Sequence, residues 1–207
     1  MSRAELAQLV GFAGFGLALA AVAAAVASFA TGRRAWLATV ALAAAAMTTG
    51  LHVRGIPLGG YLRGMMGDLS ITTSLMLAAA LARTITGRTA LDERARAALS
   101  GWTVAASVVL YPLTLGLTRF DPYELGYRPR ALLVLVAALV VWWWRSRRGA
   151  AVVLVASVAA FDLRVIESVN LWDYLLDPAL ALWSAGALAW RAAGPAMRTA
   201  LSRLRRA

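Results

Sequence analysis

Apolar residues in this chain fall into long blocks broken by short polar connections, with no sustained apolar–polar alternation of period two. The blocks lie near 7–30, 35–53, 68–86, 101–119, 130–145, 150–168 and 174–193. A hydrocarbon core roughly 30 Å thick takes about 20 helical residues to cross, which most of the blocks supply. Open strands are excluded in lipid because each unpaired backbone group there costs several kcal/mol. The pattern predicts an all-α fold: a polytopic membrane helix bundle of about seven transmembrane helices, forming one integral membrane domain over 1–207. The fifth block is the shortest, and Trp142, Trp143 and Trp144 at its end suit an interfacial aromatic belt. The first block is too long for a signal-peptide core, and its positive charge (Arg33, Arg34) follows it, so it is read as a span. Gly14/Ala18 and Gly16/Ala20 recur at four-residue spacing, small faces that let helices approach closely.

Charge gives the blocks a direction. Connections 1–2, 3–4 and 5–6 and the C-terminal tail carry fourteen of the 21 basic residues; the opposite connections carry seven. Arginine excess marks the cytoplasmic side, so the N-terminus is expected outside and the C-terminus in the cytoplasm. Eight of the ten acids then face out, with Asp92 and Glu93 inside.

Composition narrows the partners and cofactors. The chain is 61% hydrophobic and only 15% charged, where soluble domains carry about 25% charged residues. A net charge of +11 would suggest nucleic acid in a soluble protein, but here the arginines cluster at block ends, as orientation requires. All 21 basic residues are Arg; the absence of Lys removes a retinal Schiff base. With no Cys, Fe–S clusters and thiolate zinc are argued against, and a single His cannot ligate haem on both faces. A hard cation on oxygen ligands stays open. Arg without Lys, in an Ala-rich chain, suggests a GC-rich bacterium and hence its cytoplasmic membrane.

The outward connections hold the candidate chemistry. In FDLRVIESVNLWDYLLDP (161–178), four acids, an arginine and an asparagine follow directly on the sixth apolar block. A crossing begun at Ala150 would end near residue 168, leaving Asp162, Arg164 and Glu167 in or beside the outer leaflet. Intramembrane charge costs at least ~2.5–3.5 kcal/mol, so it normally faces a cavity or a partner. If the segment is helical throughout, Asp162, Glu167, Asn170, Asp173 and Asp177 share an arc of about 140°, an acidic stripe backed by an apolar face. Plainer roles compete: Asp177 before Pro178, and Asp68 before Leu69, read as helix N-caps; Asp121–Pro122 opens a turn; Trp172 and Tyr174 join an interfacial belt. Five glycines in GIPLGGYLRGMMGD (55–68) would let backbone approach a ligand or dip back into the bundle.

Three functions are compatible. The first is a binding or docking module whose outward polar cluster, with Asn170 and Asp173 on its stripe, recognises a polar lipid head group or another membrane or periplasmic protein. The second is a membrane-embedded hydrolase or transferase acting on a lipid-linked anionic substrate. Its general base would be Glu167 or Asp162, its proton carrier His52, and its anion-binding arginines Arg54, Arg63, Arg164 and Arg128. The third is a transporter or cation pathway, which requires a polar route onward to the cytoplasmic side.

Overall fold

A computed structural model of the chain describes residues 2–117 and 119–204. It is mostly helical, 77% in all, with ten α-helices among the described residues. In order these are α1 (Arg3–Ala30), α2 (Arg34–Gly50), α3 (Leu58–Met66), α4 (Ile71–Thr86), α5 (Glu93–Pro112), α6 (Glu124–Tyr127), α7 (Arg130–Trp143), α8 (Arg148–Asp162), α9 (Trp172–Leu175) and α10 (Pro178–Leu204). A π-helical turn, Leu113–Leu117, extends α5. A two-stranded hairpin, β1 (His52–Val53) and β2 (Ile56–Pro57), joins α2 to α3. Its turn residues Arg54 and Gly55 both lie at positive φ, 51° and 81°, as a two-residue hairpin turn demands.

Local chemistry explains the helix starts. Ser2 and Glu5 form a reciprocal capping box at α1. Ser70 caps α4, and Asp92 caps α5 by accepting from Ala95 N at 2.7 Å. Asp177 has the cap role expected of it, its Oδ1 accepting from Leu180 N at 2.8 Å. It also does something the sequence did not announce. Its Oδ2 accepts from Ser70 N at 2.9 Å and from the Thr73 hydroxyl at 2.5 Å. One buried carboxylate therefore closes the N-terminal ends of two helices, α4 and α10, where unpaired N–H groups and the helix dipole both favour negative charge.

Two helical stretches, Glu5–Ala30 and Glu93–Gly116, are long and apolar enough to cross a membrane; Trp36–Gly50, Ile71–Thr86 and Arg130–Trp143 are shorter apolar helices. Several expected boundaries move. The fourth block becomes helical from Glu93, because Asp92 supplies a cap well before the apolar run begins. The sixth stops at Asp162, and the seventh begins at Pro178. The stop is a Schellman motif: Arg164 N bonds to Phe161 O (3.0 Å) and Val165 N to Ala160 O (3.1 Å), with Arg164 left-handed at φ 53°. Glycine usually takes that position, so an arginine there hid the helix end. Residues 163–171 are non-helical, and the acids from Asp162 to Asp177 do not share a helix face.

The main core is built from α4, α5, α7, α8 and the 166–176 segment, with Leu99, Leu154, Leu171, Tyr174 and Leu175 fully buried. A smaller alanine cluster, Ala20, Ala24 and Ala41, seals α1 against α2. The glycine-rich stretch turns out to be hairpin plus helix. Gly59 is buried where α3 meets α1, since a Cβ there would lie 2.6 Å from the Phe12 ring.

Asp177→Ala is expected to lower unfolding stability by about 3 kcal/mol, combining the lost α10 cap with two buried hydrogen bonds, from Ser70 N and the Thr73 hydroxyl. Asp177→Asn, which keeps one capping oxygen, should fall between the two. An Asp177→Ala variant that melts with the parent contradicts this role.

Candidate acidic cavity

Three segments meet at the end of the bundle that carries most of the acids: 66–70, 121–126 and 166–178. Backbone and side-chain staples hold them. Asn170, fully buried, accepts from Trp172 N at 2.9 Å and donates from Nδ2 to Tyr123 O at 3.0 Å. The Trp172 indole donates to Pro122 O at 2.9 Å, and Leu171 N to Gly126 O at 3.0 Å. Gly126 is required by this approach: a Cβ there would sit 1.7 Å from Asn170 Oδ1. Asp121 opens its turn as expected, accepting from Tyr123 N at 2.8 Å. Tyr174 is also fully buried, its hydroxyl donating to Ile166 O or Ser168 O, each at 3.1 Å. Trp172 and Tyr174 are thus internal braces and not the interfacial belt residues expected, because the loop folds over them.

These staples enclose a cavity of about 390 Å³. Asp68, Asp173 and Asp177 line it together with Tyr111, Tyr123 and Trp172. Asp173 is held from two sides, by the Tyr123 hydroxyl (2.9 and 3.0 Å) and the Ser168 hydroxyl (2.5 Å). Asp68 takes a two-pronged contact from Arg63, 2.5 Å from Nε and 3.0 Å from Nη2. Asp68 was expected to cap α4; Ser70 does so, and Asp68 is freed for the ion pair. Arg63 also reaches Glu167 at 2.8 Å. Hydrogen bonding to Asp68 raises the Arg63 pKa further above its ordinary value. Burial, then the Asp173 carboxylate, pushes the Tyr123 phenol above its usual value of 10.0.

The other sequence candidates lie apart from the cavity lining. Glu167 has 61% of its side-chain surface exposed and, among the described residues, pairs with Arg63 alone. Asp162, the last residue of α8, is exposed and joins no ion pair among the described residues. Arg164 is exposed and lies 5.0 Å over the Phe161 ring. His52 sits exposed on the hairpin with Nδ1 3.1 Å from Gly50 O; Arg54 and Arg128 are exposed. Of the stripe, Asp173 lines the cavity while Asn170 braces its wall.

No family model, curated protein or solved structure matches the chain. Function therefore rests on the geometry. Among the described residues no three His, Asp or Glu side chains form a group able to hold a metal ion. What the cavity offers is three carboxylates, already oriented by donors, facing three aromatic rings. One guanidinium, Arg63, pairs with Asp68 and none lines the cavity, so the wall is net negative. Such a surface suits a positively charged guest. Sequence reading missed Tyr111, Tyr123 and Ser168, which carry no distinctive spacing and are recruited from separate segments.

The raised phenol makes a pH prediction. The folded state favours neutral Tyr123, whereas an unfolded tyrosine ionises near pH 10.0. Its stabilising contribution should be complete below that pH and be lost as pH rises from there through the folded value. Phenolate absorbance of the parent minus that of Tyr123→Phe should accordingly show no ionisation step at pH 10; a step there contradicts the burial described.

Proposed function

We propose that the chain is a multi-span membrane protein, with about seven crossings and an outer N-terminus, that binds the ammonium-bearing head group of a polar lipid in its acidic cavity. Two features support the membrane setting. Large apolar side chains stand exposed along the helices, among them Phe29 (92%), Leu182 (77%), Val141 (76%) and Leu42 (73%); water would not tolerate so extensive an apolar surface. The arginine partition supports the orientation, with the natural home a bacterial cytoplasmic membrane.

The observation that carries the binding reading is the pairing of Asp173 with Tyr123, Tyr111 and Trp172 in one cavity of about 390 Å³. That volume falls in the range of small-molecule sites. Aromatic faces attract an ammonium by their quadrupole, and fixed carboxylates complete the charge. The groups are arranged for holding and not for turnover. His52 and Arg54, which a hydrolase would draw to the reacting centre, remain on the exposed hairpin.

A second reading, a cation pathway, is favoured by one observation. Thr103 and Ser107 on α5 and Ser184 on α10 are buried hydroxyls with no hydrogen-bond partner among the described residues. They lie on two helices that pack together, inward along the chain from the cavity residues Tyr111 and Asp177. Unsatisfied buried hydroxyls are costly and are usually bridged by water.

The binding test uses purified, delipidated protein and two soluble lipids, dioctanoyl phosphatidylethanolamine and the amine-free dioctanoyl phosphatidic acid. Asp173→Asn should weaken the ethanolamine lipid by roughly tenfold, about 1.4 kcal/mol, and leave phosphatidic acid unchanged. Unchanged affinity for the ethanolamine lipid overturns the reading.

A further inference from the structure

The opposite end of the bundle holds a second cavity, of about 570 Å³, between α5 and the α7–α8 connection. Its polar lining is Arg94, Trp102, Trp142, Trp143, Ser146 and Arg147, with small residues of α5 completing the wall. This chemistry is the reverse of the acidic cavity. Two guanidiniums and a hydroxyl line it beside three indole rings, and no carboxylate does.

The nearby acids are already engaged. Asp92 caps α5 through Ala95 N, and Glu93 pairs with Arg96 at 2.5 Å and with Arg191. Neither Arg94 nor Arg147 joins an ion pair among the described residues. Arg147 instead lies 5.8 Å over the Trp142 ring, which fixes its guanidinium at the cavity wall. The Trp102 indole N–H is shut off from solvent and has no acceptor among the described residues.

We infer that this cavity binds the phosphate of an anionic phospholipid head group, at a site separate from the acidic cavity and independent of what that cavity takes. Guanidiniums bind phosphate oxygens through paired N–H groups, and tryptophan sits naturally at the head-group level. Basic pockets between membrane helices are a recurrent means of holding anionic lipids. A lipid is favoured over free phosphate because Trp142, which lines the cavity, is 68% exposed and Val141, next to it in the chain, is 76% exposed, apolar surface on which acyl chains can lie.

The test uses the full chain, purified and delipidated in a neutral detergent. Three probes are titrated: dioctanoyl phosphatidic acid, inorganic phosphate, and dioctanoylglycerol as the phosphate-free control. Phosphatidic acid should bind, dioctanoylglycerol should not, and Arg94→Gln/Arg147→Gln should weaken the phosphatidic acid roughly tenfold or more. Arg94 is exposed, so Arg94→Gln alone serves if the double variant melts lower than the parent without lipid. Inorganic phosphate binding as tightly as phosphatidic acid, with the same arginine dependence, assigns the site to free phosphate and overturns the lipid. Phosphatidic acid that fails to bind, or binds equally well after the arginine substitutions, overturns the site altogether. Because Asp173→Asn alters only the other cavity, the two readings fail independently.

Discussion

Asp177 is the constraint on which the architecture turns. A carboxylate that is 6% exposed receives Leu180 N, Ser70 N and the Thr73 hydroxyl, so α4 and α10 must begin at one point. A buried charge is tolerated only when its lone pairs are filled, and two helix N-termini fill them while contributing favourable dipoles. Once the starts of α4 and α10 coincide, the segments before them, 66–70 and 163–177, lie side by side. The acidic cavity is the space that remains between them and α5.

The second layer of staples then gives that space its chemistry. Asn170 and Trp172 bind the 121–126 turn through backbone carbonyls, which brings the Tyr123 hydroxyl onto Asp173. Buried polar groups that are fully partnered specify one arrangement, whereas half-satisfied ones would not. Arg63 performs the matching task at the rim, neutralising Asp68 and reaching Glu167. The wall keeps its negative character because Arg63 pairs with one of the three carboxylates that line the space, and no guanidinium lines it.

Much of the helical layout was legible in the chain, for a plain reason. Long apolar blocks and capping residues such as Asp177 before Pro178 are local signals, set by neighbours along the chain. All-α character followed from them directly. The end of α8 was not legible, because Arg164 occupies a left-handed site normally marked by glycine, and the apolar run gives no other warning. That one residue breaks the helix on which an acidic stripe depended. Glu167 and Asp162 consequently stand exposed, while Asp173 and Asp177, from the same stretch, go inward. Tyr123 and Tyr111 were out of reach for a different reason: their proximity to Asp173 or Asp177 is a tertiary fact. Tyr174 and Trp172 looked like interfacial residues because aromatic, amphipathic side chains have the same sequence appearance whether they face a head group or a backbone carbonyl.

The two cavities differ in sign, and the difference follows the arginine distribution along the chain. Acids gather where arginines are few, and arginines line the cavity at the other end. The central claim is that this polarity is a transmembrane one, with the carboxylate-lined cavity opening away from the cytoplasm. The chain has no cysteine, so single cysteines can be introduced without removing any. Intact cells carrying Glu124→Cys or Arg88→Cys should be treated with a membrane-impermeant maleimide. The account predicts labelling at 124 before permeabilisation and at 88 only afterwards. Labelling at 88 in intact cells with 124 protected would reverse the orientation and turn the acidic cavity toward the cytoplasm.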